Sequence, residues 1–146
     1  MAIQYLLILN RQGKTRLAKW FTGSYNEEER QGLIEDVHRL VSTRDLKDQS
    51  NFVEFHEGKL VYRRYAGLYF VMLIDFVDNE LSVLESMHFL VEILDSYFDN
   101  VCELDLVFNF HKLYMIVDEI FLGGEPHQML KKQVLRRLEY IDSISL

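Results

Sequence analysis

The residues Gly13, Lys14 and Thr15 resemble the end of a phosphate-binding loop, the kind of motif that would bind a nucleotide. That motif also needs a glycine five residues before Gly13, where this chain has Ile8, and a helix directly after the lysine. The residues that follow, 17–21, instead have the composition of a strand. The sequence therefore argues against a nucleotide hydrolase.

The sequence also lacks a clear motif for metal binding, for nucleophilic catalysis or for acid–base catalysis. The five histidines lie far apart with no neighbouring cysteine, so we predict no metal site and no cofactor. Cys102 has acidic surroundings, which disfavour a reactive thiolate, and we expect it to be a packed small apolar residue. The pairs Glu103 with Asp105 and Asp118 with Glu119 have the wrong helical spacing to face each other, which indicates solvated faces. We predict that the chain is not an enzyme.

Apolar patterning predicts the strands that would position any binding residues. Residues 3–9 are apolar at nearly every position, which is typical of a central strand covered on both faces. A turn with Gly13 leads into a second strand over 15–21. Later, short breaks separate three further β segments, which form a predicted meander over residues 51–56, 59–65 and 68–77.

Four helical patterns complete the predicted elements. A capping box from Ser24 to Glu27 begins the first helix, whose acidic residues 27–29 we interpret as helix-start chemistry and not as a metal site. Asp78 or Asn79 caps a second helix, and a third runs over 103–120 toward two glycines. The apolar stripes expected to face the core are Leu33, Ile34, Val37, Leu40 and Val41; Leu81, Leu84, Met87, Val91, Leu94 and Phe98; Leu104, Val107, Phe108, Leu113, Val117 and Ile120; and Leu130, Val134, Leu138 and Ile141.

This order of elements predicts an α+β fold. The elements follow the order β-β-α-β-β-β-α-α, with an extra C-terminal helix. This order allows one five-stranded antiparallel sheet that is sandwiched by helices. A length of 146 residues suits one domain over 1–146.

Charge and composition limit the function classes. The net charge of −7 argues against nucleic acid as a partner, and residues 75–125 carry twelve acidic side chains but one basic side chain. The first 26 residues contain four basic side chains and no acid. We expect no signal peptide and no membrane span, and the single cysteine favours the cytosol. With enzymes and nucleic-acid-binding proteins disfavoured, the sequence predicts a binding or assembly protein.

Four strings in the chain resemble the small (sigma) chains of clathrin adaptor complexes. They are NRQGKTRLAKW at 10–20, NFVEF at 51–55, YRRYAGLYF at 62–70 and NVCELDLVFNF at 100–110. The resemblance implies a longin-type, SNARE-like fold. The Arg63-Arg64 pair, the Ala66-Gly67 pair and residues 51–55 are most similar to the plasma-membrane endocytic complex, with the trans-Golgi or endosomal complex as the alternative.

The family resemblance also implies partners. It implies that the chain packs on the large alpha chain of a heterotetramer with beta and mu chains, and binds cargo tails with an acidic dileucine signal. In that signal an Asp or Glu precedes a Leu-Leu or Leu-Ile pair by four positions. Arg16 would face the acidic position with basic residues of the alpha chain, and the implied leucine-binding residues are Ala66, Leu68, Val91, Asn100, Val101 and Leu106.

The implied location is the cytoplasmic face of the plasma membrane, in clathrin-coated pits. Clathrin would be an indirect partner, and membrane contact would come mainly through the other chains, because this chain is acidic and has no basic amphipathic helix. A purely structural subunit, which stabilises the alpha chain without binding cargo, is a further alternative.

Overall fold

The computed structural model describes residues 3–23, 25–46, 51–56, 58–122, 125–126 and 131–144. The strands in these ranges are β1 (Ile3–Asn10), β2 (Thr15–Trp20), β3 (Phe52–Phe55), β4 (Gly58–Tyr65), β5 (Leu68–Ile74), β6 (Phe121–Leu122) and β7 (Glu125–Pro126). The helices are α1 (Glu27–Leu46), α2 (Glu80–Tyr97), α3 (Glu103–Phe108), α4 (Phe110–Ile120) and α5 (Lys131–Ile144).

The first five strands form one antiparallel sheet in the order β2-β1-β5-β4-β3. β1 lies between β2 and β5, and both β1 and β5 are buried along almost their whole length. Continuous apolar runs are what strands covered on two faces require. The predicted α+β class, the five-stranded sheet and the interior position of the first strand are confirmed. The short antiparallel pair of β6 and β7 forms a second sheet that the sequence analysis does not predict.

The turn between β1 and β2 shows why no phosphate-binding loop forms there. Gly13 has φ +87°, a conformation that favours glycine, and a Cβ at this position would lie 2.7 Å from the ring of His38. The chain then enters strand β2 at Thr15, where a phosphate-binding loop would need a helix N-terminus. The predicted strand after Lys14 is confirmed.

Helix α1 is capped two residues later than the sequence pattern predicts. The Asn26 side chain accepts a hydrogen bond from the Glu29 N–H at 2.8 Å, and the Glu29 carboxylate accepts one from the Asn26 N–H at 3.1 Å. The predicted Ser24–Glu27 box is therefore wrong as the cap of this helix, and Ser24 lies outside the described residues. Asparagine is as good a cap as serine, so the chain offered two overlapping start signals. The acidic triplet does occupy the first turn, as predicted.

The sheet separates two hydrophobic cores. On one face α1 packs Ile34, Val37 and Val41 against a core that includes Tyr5, Leu7, Leu9, Leu60, Tyr62, Tyr69, Val71 and Leu73. On the other face α2, α3, α4 and α5 enclose a larger core around Leu6, Ile8, Phe70 and Met72. Alternation along β1 sends neighbouring side chains to opposite cores.

Helix α2 begins as predicted but buries a wider face. The Asn79 side chain accepts from the Leu81 N–H at 2.9 Å, which confirms this cap. Leu81 itself is exposed, so its predicted place in the core is wrong. Because α2 contacts β4, α4 and α5, its buried residues extend beyond a single stripe and are Val83, Met87, Leu90, Val91, Ile93 and Leu94.

The predicted continuous helix over 103–120 is wrong. Asn109, with φ −122° and ψ 38°, separates α3 from α4, and its side-chain amide donates to the Asp105 carbonyl at 3.0 Å. Local side-chain bonds of this kind compete with helical geometry. In α3 it is Leu106 that faces the core, whereas Leu104, Val107 and Phe108 of the predicted stripe are exposed.

Helix α5 is fixed to the bundle by its apolar and polar faces. Val134 and Leu138 are buried, as predicted, whereas the predicted stripe residue Leu130 lies outside the described residues. The Tyr97 hydroxyl donates to Asp142 at 2.6 Å, and Lys112 pairs with the same carboxylate. Burial and then the Asp142 bond raise the pKa of Tyr97 to about 12.

Candidate functional site

Four of the predicted leucine-binding residues lie in one buried cluster. Leu68 begins β5, Val91 lies in α2, Val101 lies in the connection between α2 and α3, and Leu106 lies in α3. All four belong to the larger core, on the face covered by the later helices. The fold therefore brings together residues that are up to 38 positions apart in the chain.

This cluster is closed. Leu68 and Leu106 are 0% exposed, Val91 is 3% exposed and Val101 is 4% exposed. Interiors pack with few voids larger than a water molecule, so a ligand side chain would have to displace protein side chains to enter. In this structure the four residues are part of the packed core and do not themselves form an open pocket.

Ala66 and Asn100 are the exposed members of the predicted set. Ala66 lies in the turn between β4 and β5 with φ +53°, and Asn100 lies after α2 with φ +69°. Both values fall in the left-handed region, which non-glycine residues rarely occupy and which is often found at functional positions. Both residues are exposed, and each lies in a loop next to a cluster residue in the chain, Ala66 near Leu68 and Asn100 next to Val101.

Asp95, which the sequence analysis does not identify, ties these two loops together. Its Oδ2 accepts from the Tyr65 hydroxyl at 2.8 Å, and its Oδ1 accepts from the Val101 N–H at 3.0 Å. The Asn100 N–H donates to the Asp95 carbonyl at 2.9 Å. The bond to Asp95 raises the pKa of Tyr65 above its ordinary value. One carboxylate thus joins the residue before Ala66 to the residue after Asn100.

The charged part of the set is already paired within the chain. Arg16 in β2 donates from Nε and from one Nη to Oε2 of Glu103, both at 2.7 Å. The Asn10 amide donates to the same oxygen at 3.0 Å. The Asn10 bond, followed by the Arg16 bond, lowers the pKa of Glu103. Glu103 and Asp105 are each partly exposed, so the solvated faces expected for them are only partly present. Asp105 accepts from the Cys102 N–H at 2.9 Å.

A cleft beside Arg16 leads toward the buried cluster. It measures about 280 Å³ and is lined by Thr15, Arg16, Leu106, Val107, Phe110 and Tyr114. Its floor is held by the Tyr114 hydroxyl, which accepts from the Ala18 N–H at 3.1 Å and donates to the Ala18 carbonyl at 3.3 Å. Since β2 is an edge strand, these bonds satisfy backbone groups that would otherwise be unpaired. Arg16 and Leu106 meet in this cleft.

Cys102 differs from its predicted environment. It is exposed and begins α3 as the N-cap residue, so the expectation of a packed small apolar side chain is wrong. Asp118 is exposed, which confirms the solvated face expected for it, and it pairs with Lys19 at 2.7 Å. Glu119 is mostly covered and pairs with Arg137 at 2.7 Å, so the same expectation is wrong for Glu119. Within the described ranges, no three His, Cys, Asp or Glu side chains are grouped so that they could hold a metal ion.

Comparison with known proteins agrees with the fold and the residue strings. A family model described as the clathrin adaptor complex small chain matches residues 2–145. The chain is 58% identical to the AP-2 complex subunit sigma of Neurospora crassa, over 97% of this chain and 99% of the relative. It is 51% identical to the subunit of the same name from Saccharomyces cerevisiae, over 99% of both chains.

Two further matches are more distant. The AP-1 complex subunit sigma-2 of Dictyostelium discoideum is 48% identical, over 99% of this chain and 92% of the relative. A chain in a structure described as a homology model of the full-length AP-3 complex in a stretched open conformation superposes with a TM-score of 0.75 at 28% identity. That match covers 98% of this chain and 95% of the other. The similarity therefore extends across adaptor complexes and over almost the whole chain.

Proposed function

The chain belongs to the family of clathrin adaptor complex small chains, and from this premise we propose that it is the sigma subunit of an endocytic, AP-2-type complex that binds acidic dileucine signals. In this role it packs on the large alpha chain, with beta and mu chains completing the heterotetramer. It acts at the cytoplasmic face of the plasma membrane, in clathrin-coated pits, and clathrin is an indirect partner.

The observation that supports cargo binding most strongly is that a cation and the apolar cluster are linked through contacting residues of β1, β2, β5 and α3. Leu68 pairs with Asn10 in the sheet register, Asn10 bonds Glu103, and Glu103 bonds Arg16. The apolar cluster and the guanidinium thus lie in one connected network. An acidic side chain and two leucines, separated by a short peptide segment, need such a combination of a cation and apolar contacts.

The proposed binding event requires the cluster to open. Two leucine side chains would insert between the loops that carry Ala66 and Asn100 and displace side chains over Val91 and Val101. Burying two leucines contributes about 3 to 6 kcal/mol, and an exposed ion pair contributes about 1 kcal/mol or less. Opening the cluster and ordering the peptide oppose these gains, so we expect a Kd that is micromolar or weaker. Useful affinity would come from several weak contacts on one membrane.

Exposed apolar residues beside the site support contact with a large chain. Leu104, Phe108 and Phe110 lie on α3 and at the start of α4, and Phe108 is 78% exposed. Large exposed apolar side chains close together in the chain are typical of protein interfaces. We propose that the alpha chain covers it, which would also place basic residues of that chain near Arg16. Among the described helices none is both long and apolar enough to span a bilayer.

Peptide binding to the assembled complex tests the proposal. An acidic dileucine peptide should bind, and the same peptide with both leucines replaced by serine should not. Asn100→Gly preserves the left-handed backbone but removes the amide that we assign to the peptide backbone, so affinity should fall several-fold. Asp99→Gly is the matched control, since Asp99 has φ +54° and is also exposed but is not in the proposed site. Equal effects of the two substitutions would contradict the assigned role of Asn100.

Co-purification with candidate large chains separates the alternatives. The AP-1 relative at 48% identity keeps the trans-Golgi complex in consideration. Selective recovery with the alpha chain supports the endocytic assignment, whereas recovery with the large chain of the trans-Golgi complex overturns it. Assembly with the alpha chain but without measurable affinity for the dileucine peptide would indicate a purely structural subunit.

A further inference from the structure

Arg16, the residue proposed to bind the acidic position of cargo, already holds a carboxylate. Its Nε and one Nη donate to Oε2 of Glu103 at 2.7 Å each. The side chains are 19% and 35% exposed, so the pair is partly shielded from water. The positive charge on which the acidic cargo residue would depend is therefore largely neutralised in the chain itself.

Glu103 is held in this place by a buried residue. Asn10 is only 6% exposed, and its amide nitrogen donates to Oε2 of Glu103 at 3.0 Å. The Asn10 side-chain oxygen accepts from the Gln12 N–H at 3.0 Å and the Lys14 N–H at 2.8 Å, which fixes the orientation of the amide. Because three donors converge on one carboxylate oxygen, Glu103 does not pair with Arg16 merely as a mobile surface side chain.

We propose that Glu103 is an internal competitor for the acidic residue of cargo, a role that rests on the proposed function of Arg16. In the empty site Glu103 occupies the guanidinium, and an incoming carboxylate must share or displace it. A guanidinium has five N–H donors, so a second carboxylate can bind beside the first, but the two negative charges repel each other. Glu103 thereby weakens binding of acidic signals and limits the preference for an acidic over a neutral residue.

The competitor differs from a residue that only positions Arg16. A positioning residue would improve cargo binding, so its neutralisation would lower the affinity of the complex for the acidic peptide. A competitor opposes binding, so its neutralisation raises the affinity for the acidic peptide and leaves the affinity for a neutral peptide unchanged. The sign of one measured change therefore distinguishes the two roles.

The experiment uses the assembled complex with wild-type chain or Glu103→Gln. It measures the Kd of an acidic dileucine peptide and of the peptide with glutamine at the acidic position. Glutamine keeps the size of the side chain, and its single amide oxygen can still accept from Asn10 and Arg16, so the fold should tolerate it. We expect Glu103→Gln to lower the Kd of the acidic peptide by about two- to fivefold, which corresponds to the free energy of an exposed ion pair. The Kd of the glutamine peptide should not change. The gain should shrink at high salt.

Asp118→Asn provides a matched control, because Asp118 of α4 also pairs with a cation of the edge strand β2. Asp118 pairs with Lys19 of β2 at 2.7 Å, so its neutralisation removes the same unit charge while leaving Arg16 paired. An equal gain in both variants would indicate a general charge effect and overturn the proposal. Weaker or unchanged binding of the acidic peptide in Glu103→Gln would also overturn it. If the wild-type complex binds neither peptide, the proposed cargo function fails, a result distinct from wild-type binding that Glu103→Gln does not strengthen.

Discussion

The apolar and charged parts of the proposed site are built in opposite ways. The apolar part, from Leu68 to Val91 and Val101, is sealed within the core and has almost no exposed surface. In the charged part, Arg16 and Glu103 are partly exposed and pair with each other, and the buried Asn10 also donates to Glu103. To bind a ligand, side chains in the apolar part must move apart. In the charged part, the carboxylate of the ligand must share Arg16 with Glu103 or displace Glu103.

This difference assigns different tasks to the two parts. Core packing supplies stability, so the apolar part cannot be altered without altering the fold. A partly exposed ion pair contributes little to stability, so the charged part can be altered with only a small effect on the fold. We therefore expect substitutions in the apolar part to change folding and binding together, and those in the charged part to change binding with little change in stability.

The largest effect should follow Val91→Asp. It places an unpaired carboxylate in the buried face of α2, and the free energy of unfolding should fall by about 3 to 5 kcal/mol. Arg16→Ala, in the charged part, should lower it by about 1 kcal/mol or less. Urea unfolding of both variants measures the difference. Equal losses in the free energy of unfolding would contradict the proposal that the two parts differ in their contribution to stability.

The two sides of α3 sharpen the same comparison. Leu106→Ala removes a fully buried side chain, and we expect a loss of about 2 to 5 kcal/mol. Val107→Ala, on the partly exposed neighbour that also lines the cleft, should cost about 1 kcal/mol or less. Thermal unfolding of the pair gives the ranking. A larger loss for Val107 would mean that α3 faces the core with its other side.

Ala66→Gly should have a smaller effect of the opposite sign. Alanine at φ +53° carries strain that glycine relieves, so stability should rise by about 0.5 to 1 kcal/mol. Ala18→Gly is the control, because Ala18 lies in strand β2 and glycine there should lower stability by about 0.5 to 1 kcal/mol. If Ala66→Gly also weakens peptide binding, its methyl group contacts cargo. Destabilisation by Ala66→Gly in urea unfolding would contradict the strained turn.

The smallest expected effect is the pH dependence of the Arg16–Glu103 pair. Asn10 and Arg16 hold the pKa of Glu103 below its ordinary value, so its contribution to stability is present above the unfolded pKa and is lost as pH falls through the folded pKa. Between about pH 5 and pH 3, the free energy of unfolding should fall less steeply in Glu103→Gln than in the wild type. Parallel urea-unfolding profiles would show that the pair contributes nothing measurable.

The sequence predicts the sheet well because each interior strand can be identified from its own residues. Residues 3–9 and 68–74 are continuous apolar runs, and such runs determine interior strands whatever surrounds them. The break at Asn109 and the exposure of Leu81 could not be predicted in this way. They depend on a side-chain bond to Asp105 and on where α2 meets its neighbours.

The site residues divide similarly. The resemblance identifies Arg16 and the apolar set, but nothing in the sequence links Arg16 to Glu103, 87 positions away, or Asn10 to Glu103. Asp95 also has no local signal, because its role depends on Tyr65 and Val101 converging in the fold. Polar contacts between distant segments are set by tertiary geometry, which periodicity does not encode.

The most direct test of the proposed site is a thermodynamic cycle on the assembled complex. It combines Arg16→Ala with replacement of the acidic peptide residue by glutamine and measures all four dissociation constants. If Arg16 binds that acidic residue, each single change weakens binding, and the double change weakens it little more than either alone. If the two losses simply add, Arg16 does not contact the acidic position, and the proposed assignment of the charged part is wrong.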